Sequence, residues 1–246
     1  MCIGIDSNPR QMRVNCKTSA ERRVRVCGFL AVLTALAALQ ACSVDSDSGD
    51  GSTKINGSVH VAAGKPPAAA TTVNGSIQID ENAAVTNATT VNGSVHLSDH
   101  ATAKTLESVN GAITVGNGAR LTGDVISVNG ELIVGDGADI LGSLSNVNGK
   151  ITLNAAHVGG AIKTSNGSIS ITGASHVDGG IEVKRPSSEL LQIVRGVPRI
   201  IIGPGATVQG ELRFERPVQL LVSDKAAIGK VTGATPTTFT GDNPPN

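Results

Sequence analysis

Val91-Asn92-Gly93-Ser94-Val95-His96-Leu97 opens a stretch that runs through Ser98-Asp99-His100-Ala101-Thr102-Ala103-Lys104-Thr105-Leu106-Glu107-Ser108. Val109-Asn110-Gly111-Ala112-Ile113-Thr114-Val115 then writes the same opening again. Working outward, the Asn-Gly pair recurs at Asn56, Asn74, Asn92, Asn110, Asn129, Asn148 and Asn166, in steps of 18, 18, 18, 19, 19 and 18 residues. Each pair leads into a short strand pattern, apolar residues alternating with polar ones. A fixed period of this length marks a stacked solenoid, in which one repeat is one coil and buries its apolar side only against its neighbours.

A second marker lies on another edge of the coil. Gly118-Ala119-Arg120-Leu121-Thr122-Gly123 returns as Gly137 to Gly142, Ala155 to Gly160, Ala174 to Gly179 and Gly205 to Gly210, and loosely as Ala226 to Gly229. Together the markers predict an all-β, single-stranded parallel β-helix (β-solenoid). It has about ten coils of 18–19 residues, each of roughly three strands, over residues 55–233. At a coil spacing of ~4.8 Å the stack is on the order of 50 Å long. Seven separate hairpin turns are the alternative, because Asn-Gly between strands is the strongest short hairpin signal. That arrangement needs a second tight turn between successive pairs. The glycines are expected at corners with positive φ, and the asparagines are expected to pass amide hydrogen bonds from coil to coil.

Composition agrees with a narrow core. The 246 residues include 30 glycines, no tryptophan, no tyrosine and three phenylalanines, so small aliphatics rather than large rings must fill the centre. Lys/Arg and Asp/Glu balance at 20 each, which leaves no basic footprint for nucleic acid. All four cysteines lie within the first 42 residues, so no disulfide framework holds the repeats.

The early cysteines belong to a different pattern. Arg22, Arg23 and Arg25 precede an apolar run from Cys27 to Ala41 that ends Leu39-Gln40-Ala41-Cys42. A basic cluster, a short apolar core and a small residue before the cut describe an export signal over residues 1–41, too short to span a bilayer permanently. Residues 1–20 fit no part of such a signal, which suggests a start at Met12 or later. Of the 20 Lys/Arg and 20 Asp/Glu, six and two fall in residues 1–41, leaving 14 and 18 in a mildly acidic remainder. Residues 42–54 read as a polar tether. Residues 184–198 read as an insertion, a packed structural excursion in preference, with a flap over one face, an enlarged coil and a partner-binding element as its possible forms, and residues 234–246 as a polar tail.

Leu39-Gln40-Ala41-Cys42 resembles the bacterial lipobox. That resemblance implies acylation of Cys42 and a lipid anchor. With Ser43 in place of the retention residue Asp, it implies the outer membrane. The coil pattern, aliphatic-Asn-Gly-x-aliphatic-x-aliphatic followed by Gly-Ala-x-aliphatic-x-Gly, resembles the bactofilins over most of residues 55–231. It is also similar to bacterial surface domains of adhesin type. The bactofilin resemblance implies a right-handed triangular β-helix that stacks end to end without nucleotide. Bactofilins are typically cytoplasmic, and this chain departs from them in its export signal.

Enzyme families that use β-solenoids supply the alternative function. Polysaccharide-cleaving enzymes need clustered carboxylates, whereas the acidic residues here are scattered. Val73, Ile79, Val85, Val91, Leu97, Ala103, Val109, Val115 and Leu121 fall every six residues, as in hexapeptide acyltransferases, but no candidate loop accompanies the histidines. Arg120, Asp139, His157 and His176 share one position on four successive coils. They read as a solvated charge ladder rather than a metal site, since structural zinc takes four ligands. His60 and His96 share a register with Gln78 between them, too far apart to chelate. The expectation is a non-enzymatic lipid-anchored envelope protein without cofactor or metal, acting as scaffold, polymer or adhesin-like module. Its partners are then the membrane, other copies of itself or an envelope component. A β-helix enzyme acting on polysaccharide or transferring acyl groups is the alternative.

Overall fold

The structure, a computed structural model, describes residues 46–48, 51–185, 196–242 and 244. The predicted signal peptide, Cys42 and residues 186–195 of the insertion lie outside the described residues. The described chain is all β. Every strand pairing is parallel except Ser46–Ser48, which runs antiparallel to the start of Gly51–Asn56. The parallel β-solenoid predicted from the repeat is what forms.

Three faces build each coil. The first follows the Asn-Gly corner and carries ten strands in register, from Val59–Val61 to Thr237–Phe239. The second and third faces hold short strands such as Arg120–Leu121 and Val125–Ser127. In the earlier coils a single seven-residue strand covers both faces, as in Ala84–Thr90 and Thr102–Ser108. The spacing explains the difference. Two residues, Lys104 and Thr105, separate the inward Ala103 and Leu106, whereas three, Thr122 to Asp124, separate Leu121 and Val125. The extra residue sharpens the corner and cuts one strand into two.

Alternation puts the aliphatic columns inside. Val95, Ile113, Leu132, Ile151, Ile169, Ile200 and Leu220 stack in register along the first face, and all are buried. Each such side chain contributes ~1.5–3 kcal/mol on leaving water. These aliphatic columns fill the interior without tryptophan or tyrosine.

Two boundaries differ from the sequence reading. The first solenoid strand begins at Gly51 rather than Ile55, pairing Gly51 with Ala69, so part of the expected tether is strand. At the other end Thr237–Phe239 pairs with Leu221–Ser223, and Phe239 is buried. The stretch read as a polar tail from 234 therefore supplies the last strand of the first face. The insertion opens at the Asn-Gly corner itself. Ile181–Val183 stacks on Ile162–Thr164 before it, and Arg199–Ile202 stacks on Ile169–Thr172 after it.

Candidate functional site

Two side-chain ladders run along the stack, and both grow from the in-register repeat. The first is the predicted asparagine row. Asn74 donates through Nδ2 to Asn56 Oδ1 at 3.0 Å, Asn92 to Asn74 at 3.0 Å, Asn110 to Asn92 at 2.9 Å and Asn129 to Asn110 at 2.8 Å. Asn148 donates to Asn129 at 2.7 Å and Asn166 to Asn148 at 3.0 Å. All amides point the same way, so each polarises the next. The oxygen at the last rung, Asn166 Oδ1, accepts from Arg216 Nη1, which also donates to Ser165 O at 3.0 Å. Arg216 reaches across the coil that carries the insertion and places a cation at the oxygen end of the aligned dipoles.

The glycines of this corner do a different job from the one expected. Of the seven, only Gly57 has a left-handed φ, +114°. At the others a Cβ would stand against the carbonyl of the coil below, 2.2 Å from Gly57 O at Gly75 and 1.8 Å from Gly111 O at Gly130. Close stacking of backbone on backbone therefore excludes a side chain. The left-handed turns belong to the second marker, where Gly118 (φ 61°) and Gly137 (φ 67°) share the corner with Ala155 (φ 44°).

Inside the asparagine corner lies a row that the sequence reading missed. Thr72, Thr90, Ser108, Ser127, Asn146 and Thr164 are buried polar residues. Thr72 Oγ1 donates to Gly57 O at 2.9 Å, Thr90 Oγ1 to Gly75 O at 3.0 Å and Ser108 Oγ to Gly93 O at 3.2 Å. Farther along, Ser127 Oγ accepts from Gly130 N at 3.1 Å and Thr164 Oγ1 from Gly167 N at 2.9 Å. The row bonds corner backbone groups that are buried at Gly130 and Gly167 and half-buried at Gly75 and Gly93. Its signal is legible afterwards: a Ser, Thr or Asn stands two residues before six of the seven ladder asparagines. Where the asparagines stop, the inner row turns apolar, to Val183 and Phe214.

The second ladder lies on the second face. Arg120, Asp139, His157 and His176 are register partners as predicted. Arg120 Nη2 lies 2.9 Å from Asp139 Oδ2, and His157 Nδ1 lies 2.7 Å from Asp139 Oδ1. The structure adds two members, Asp178 and Gln209. His157 Nε2 is 3.1 Å from Asp178 Oδ2, His176 Nε2 is 2.9 Å from Asp178 Oδ1, and the Gln209 amide lies 2.8 Å from His176 Nε2. Asp178 was findable, since two residues beyond His176 on a strand returns to the same side. The two imidazoles stack at 5.9 Å between centroids.

Both ring nitrogens of His157 face carboxylates, and only the imidazolium can donate to both. The hydrogen bond to Asp139 is the main cause that raises the His157 pKa, with Asp178 adding to it against partial burial. The same bond from His157 is the largest cause holding Asp139 below its ordinary value, followed on the lowering side by the charge of Arg120. The geometry favours the protonated imidazole between two carboxylates. Among the described residues no group of three or more His, Cys, Asp or Glu is set to hold a metal ion.

His60 does not join His96. It pairs with Asp80 at 2.7 Å, while Gln78 on the intervening coil donates to Ser98 Oγ at 3.0 Å. No family model, curated protein or solved structure matches the chain.

Proposed function

We propose that the chain is a non-enzymatic, lipid-anchored envelope protein whose solenoid serves as a rigid scaffold or surface-interaction module. Cys42 carries the acyl groups and the outer membrane is its location. The observation that carries this reading is how the regular side chains are spent. The asparagine amides bond one another, the inner hydroxyls bond corner backbone groups, and His60 and His157 bond aspartates of neighbouring coils. Groups that could work on a substrate are instead used to hold coil to coil, which suits stiffness and display. Bactofilin-like end-to-end association and adhesin-like contact are the two forms such a module takes.

Replacing Cys42 by Ser tests the anchor. The wild-type chain is expected in the outer-membrane fraction of a diderm host and the variant in the soluble fraction. A variant that still sediments with membranes defeats the lipoprotein reading.

A further inference from the structure

Asn-Gly is chemically the least protected setting for an asparagine, because glycine has no Cβ to keep its backbone nitrogen from the preceding side-chain carbon. The chain holds eight such pairs, Asn117-Gly118 at the second marker and seven in the ladder, and the ladder seven are a chemical liability unless the fold guards them. The ladder guards six of them better than the seventh. An interior rung both donates and accepts: Asn110 donates to Asn92 and accepts from Asn129. Asn166, the last rung, donates to Asn148 and accepts from Arg216. Asn56 only accepts, from Asn74, and its Nδ2 faces solvent without a partner among the described residues.

The glycine that follows has more room around it, but its N–H is bonded and must be released before it can attack. Gly57 alone of the seven has a left-handed φ, and the nearest atom to a Cβ built there is Lys54 Cδ at 3.9 Å, where the others meet a carbonyl of the coil below. Its N–H donates to Asn74 O at 3.0 Å. That bond belongs to the first coil among the described residues, where Ser46–Ser48 covers only Gly51–Thr53 of the strand edge, and terminal elements open most readily.

We propose that Asn56 is a site of spontaneous intramolecular conversion from amide to acid, and that the other six ladder asparagines are held against it. In the step, the Gly57 nitrogen gives its proton to solvent base and attacks Asn56 Cγ, forming an N–Cγ bond. The Cγ–Nδ2 bond breaks and ammonia leaves with a proton from water, giving a five-membered imide. Water then adds to either imide carbonyl and opens the ring to an aspartyl or isoaspartyl residue. One water enters and one ammonia departs. Holding attacker and target in one ring makes the reaction unimolecular, but Cγ must first swing out of the ladder.

The product also fits only at this end. Each rung donates to the rung before it, so an aspartate inside the row loses the N–H it owes and sets oxygen against oxygen. At position 56 there is no earlier rung. A carboxylate there still accepts from Asn74, and its charge lies at the donor end of the aligned amides, opposite Arg216 at the acceptor end.

The full chain incubated in warm, mildly alkaline buffer is digested and mapped by mass spectrometry, with isoaspartyl methylation as a second readout. In the folded chain, conversion at Asn56 is expected to be about tenfold or more faster than at any other ladder asparagine, the size of one extra side-chain hydrogen bond to open. In urea all seven convert at comparable rates. Equal rates at interior rungs of the folded chain, or an intact Asn56 under conditions that convert it in urea, overturn the proposal. Paired variants test the polarity argument separately: Asn56→Asp keeps the unfolding midpoint and Asn110→Asp lowers it. An equal fall in both overturns that argument.

Discussion

At the scale of single residues, His157 shows how the stack turns a repeated position into a charged device. Its side chain remains 38% exposed, so solvent screens the interaction, yet both its nitrogens are committed to carboxylates on neighbouring coils. The pH dependence follows from the directions of the two shifts. A raised imidazole pKa contributes stability that is fully present below the ordinary value of 6.5 and is lost as pH rises through the higher folded value. A lowered Asp139 contributes stability present above its ordinary 3.8 and lost as pH falls through the lower folded value. The pair therefore supports the fold most between about pH 4 and 6.5. Replacing His157 by Gln is expected to flatten the fall in urea midpoint between mildly acidic and mildly alkaline buffer. A wild-type midpoint with the same slope as the variant over that range contradicts the assignment.

At the scale of one coil, the outer asparagine, the corner glycine and the inner hydroxyl act as a unit. Thr90 shows the linkage: its Oγ1 donates to Gly75 O, while its neighbours Asn92 and Gly93 make the corner. Replacing Thr90 by Val keeps the shape and removes the donor. The cost is expected near that of one lost hydrogen bond at a half-buried carbonyl, about 0.5–1.5 kcal/mol in denaturant unfolding. The same change at an exposed hydroxyl such as Thr102 is expected to fall within ~0.5 kcal/mol. A loss at Thr90 no larger than at Thr102 means that water reaches the corner. The period made the coil legible in the sequence, since alternation at Val95-His96-Leu97 assigns the inside and a step of 18–19 fixes which residues stack. The asparagine row and the four-member charge ladder followed from the same arithmetic. What stayed hidden depends on backbone approach and on reach across coils. A Gly-Gly stacking distance carries no period of its own, so Gly130 was expected to serve φ when it serves clearance. Arg216 lies 50 residues from Asn166, and no local spacing announces that contact. Phe239 lacks a repeat motif altogether, which is why the final strand read as tail.

At the scale of the whole stack, each coil touches only its neighbours, so stability accumulates as a sum of coil and interface terms and should thin toward the ends. Leu132–Val134 pairs on both sides, with Ile113–Val115 and Ile151–Leu153. Among the described residues Val59–Val61 pairs only with Ile77–Ile79, and Thr237–Phe239 only with Leu221–Ser223. Amide exchange followed by mass spectrometry should show protection highest near Leu132–Val134 and falling in both directions. The insertion is the place where this gradient could break, because the asparagine row ends there. The backbone argues for continuity. Ile181–Val183 pairs with both Ile162–Thr164 and Leu212–Phe214, and Arg199–Ile202 stacks on both sides as well. Arg216 also carries side-chain bonding across the same gap. Protection is therefore expected to pass smoothly from Ile169–Thr172 to Gln219–Ser223. A sharp step at Arg199, with everything after it exchanging together at a faster rate, would mean that the solenoid behaves as two blocks and that the parallel pairing across the insertion is weaker than the rest.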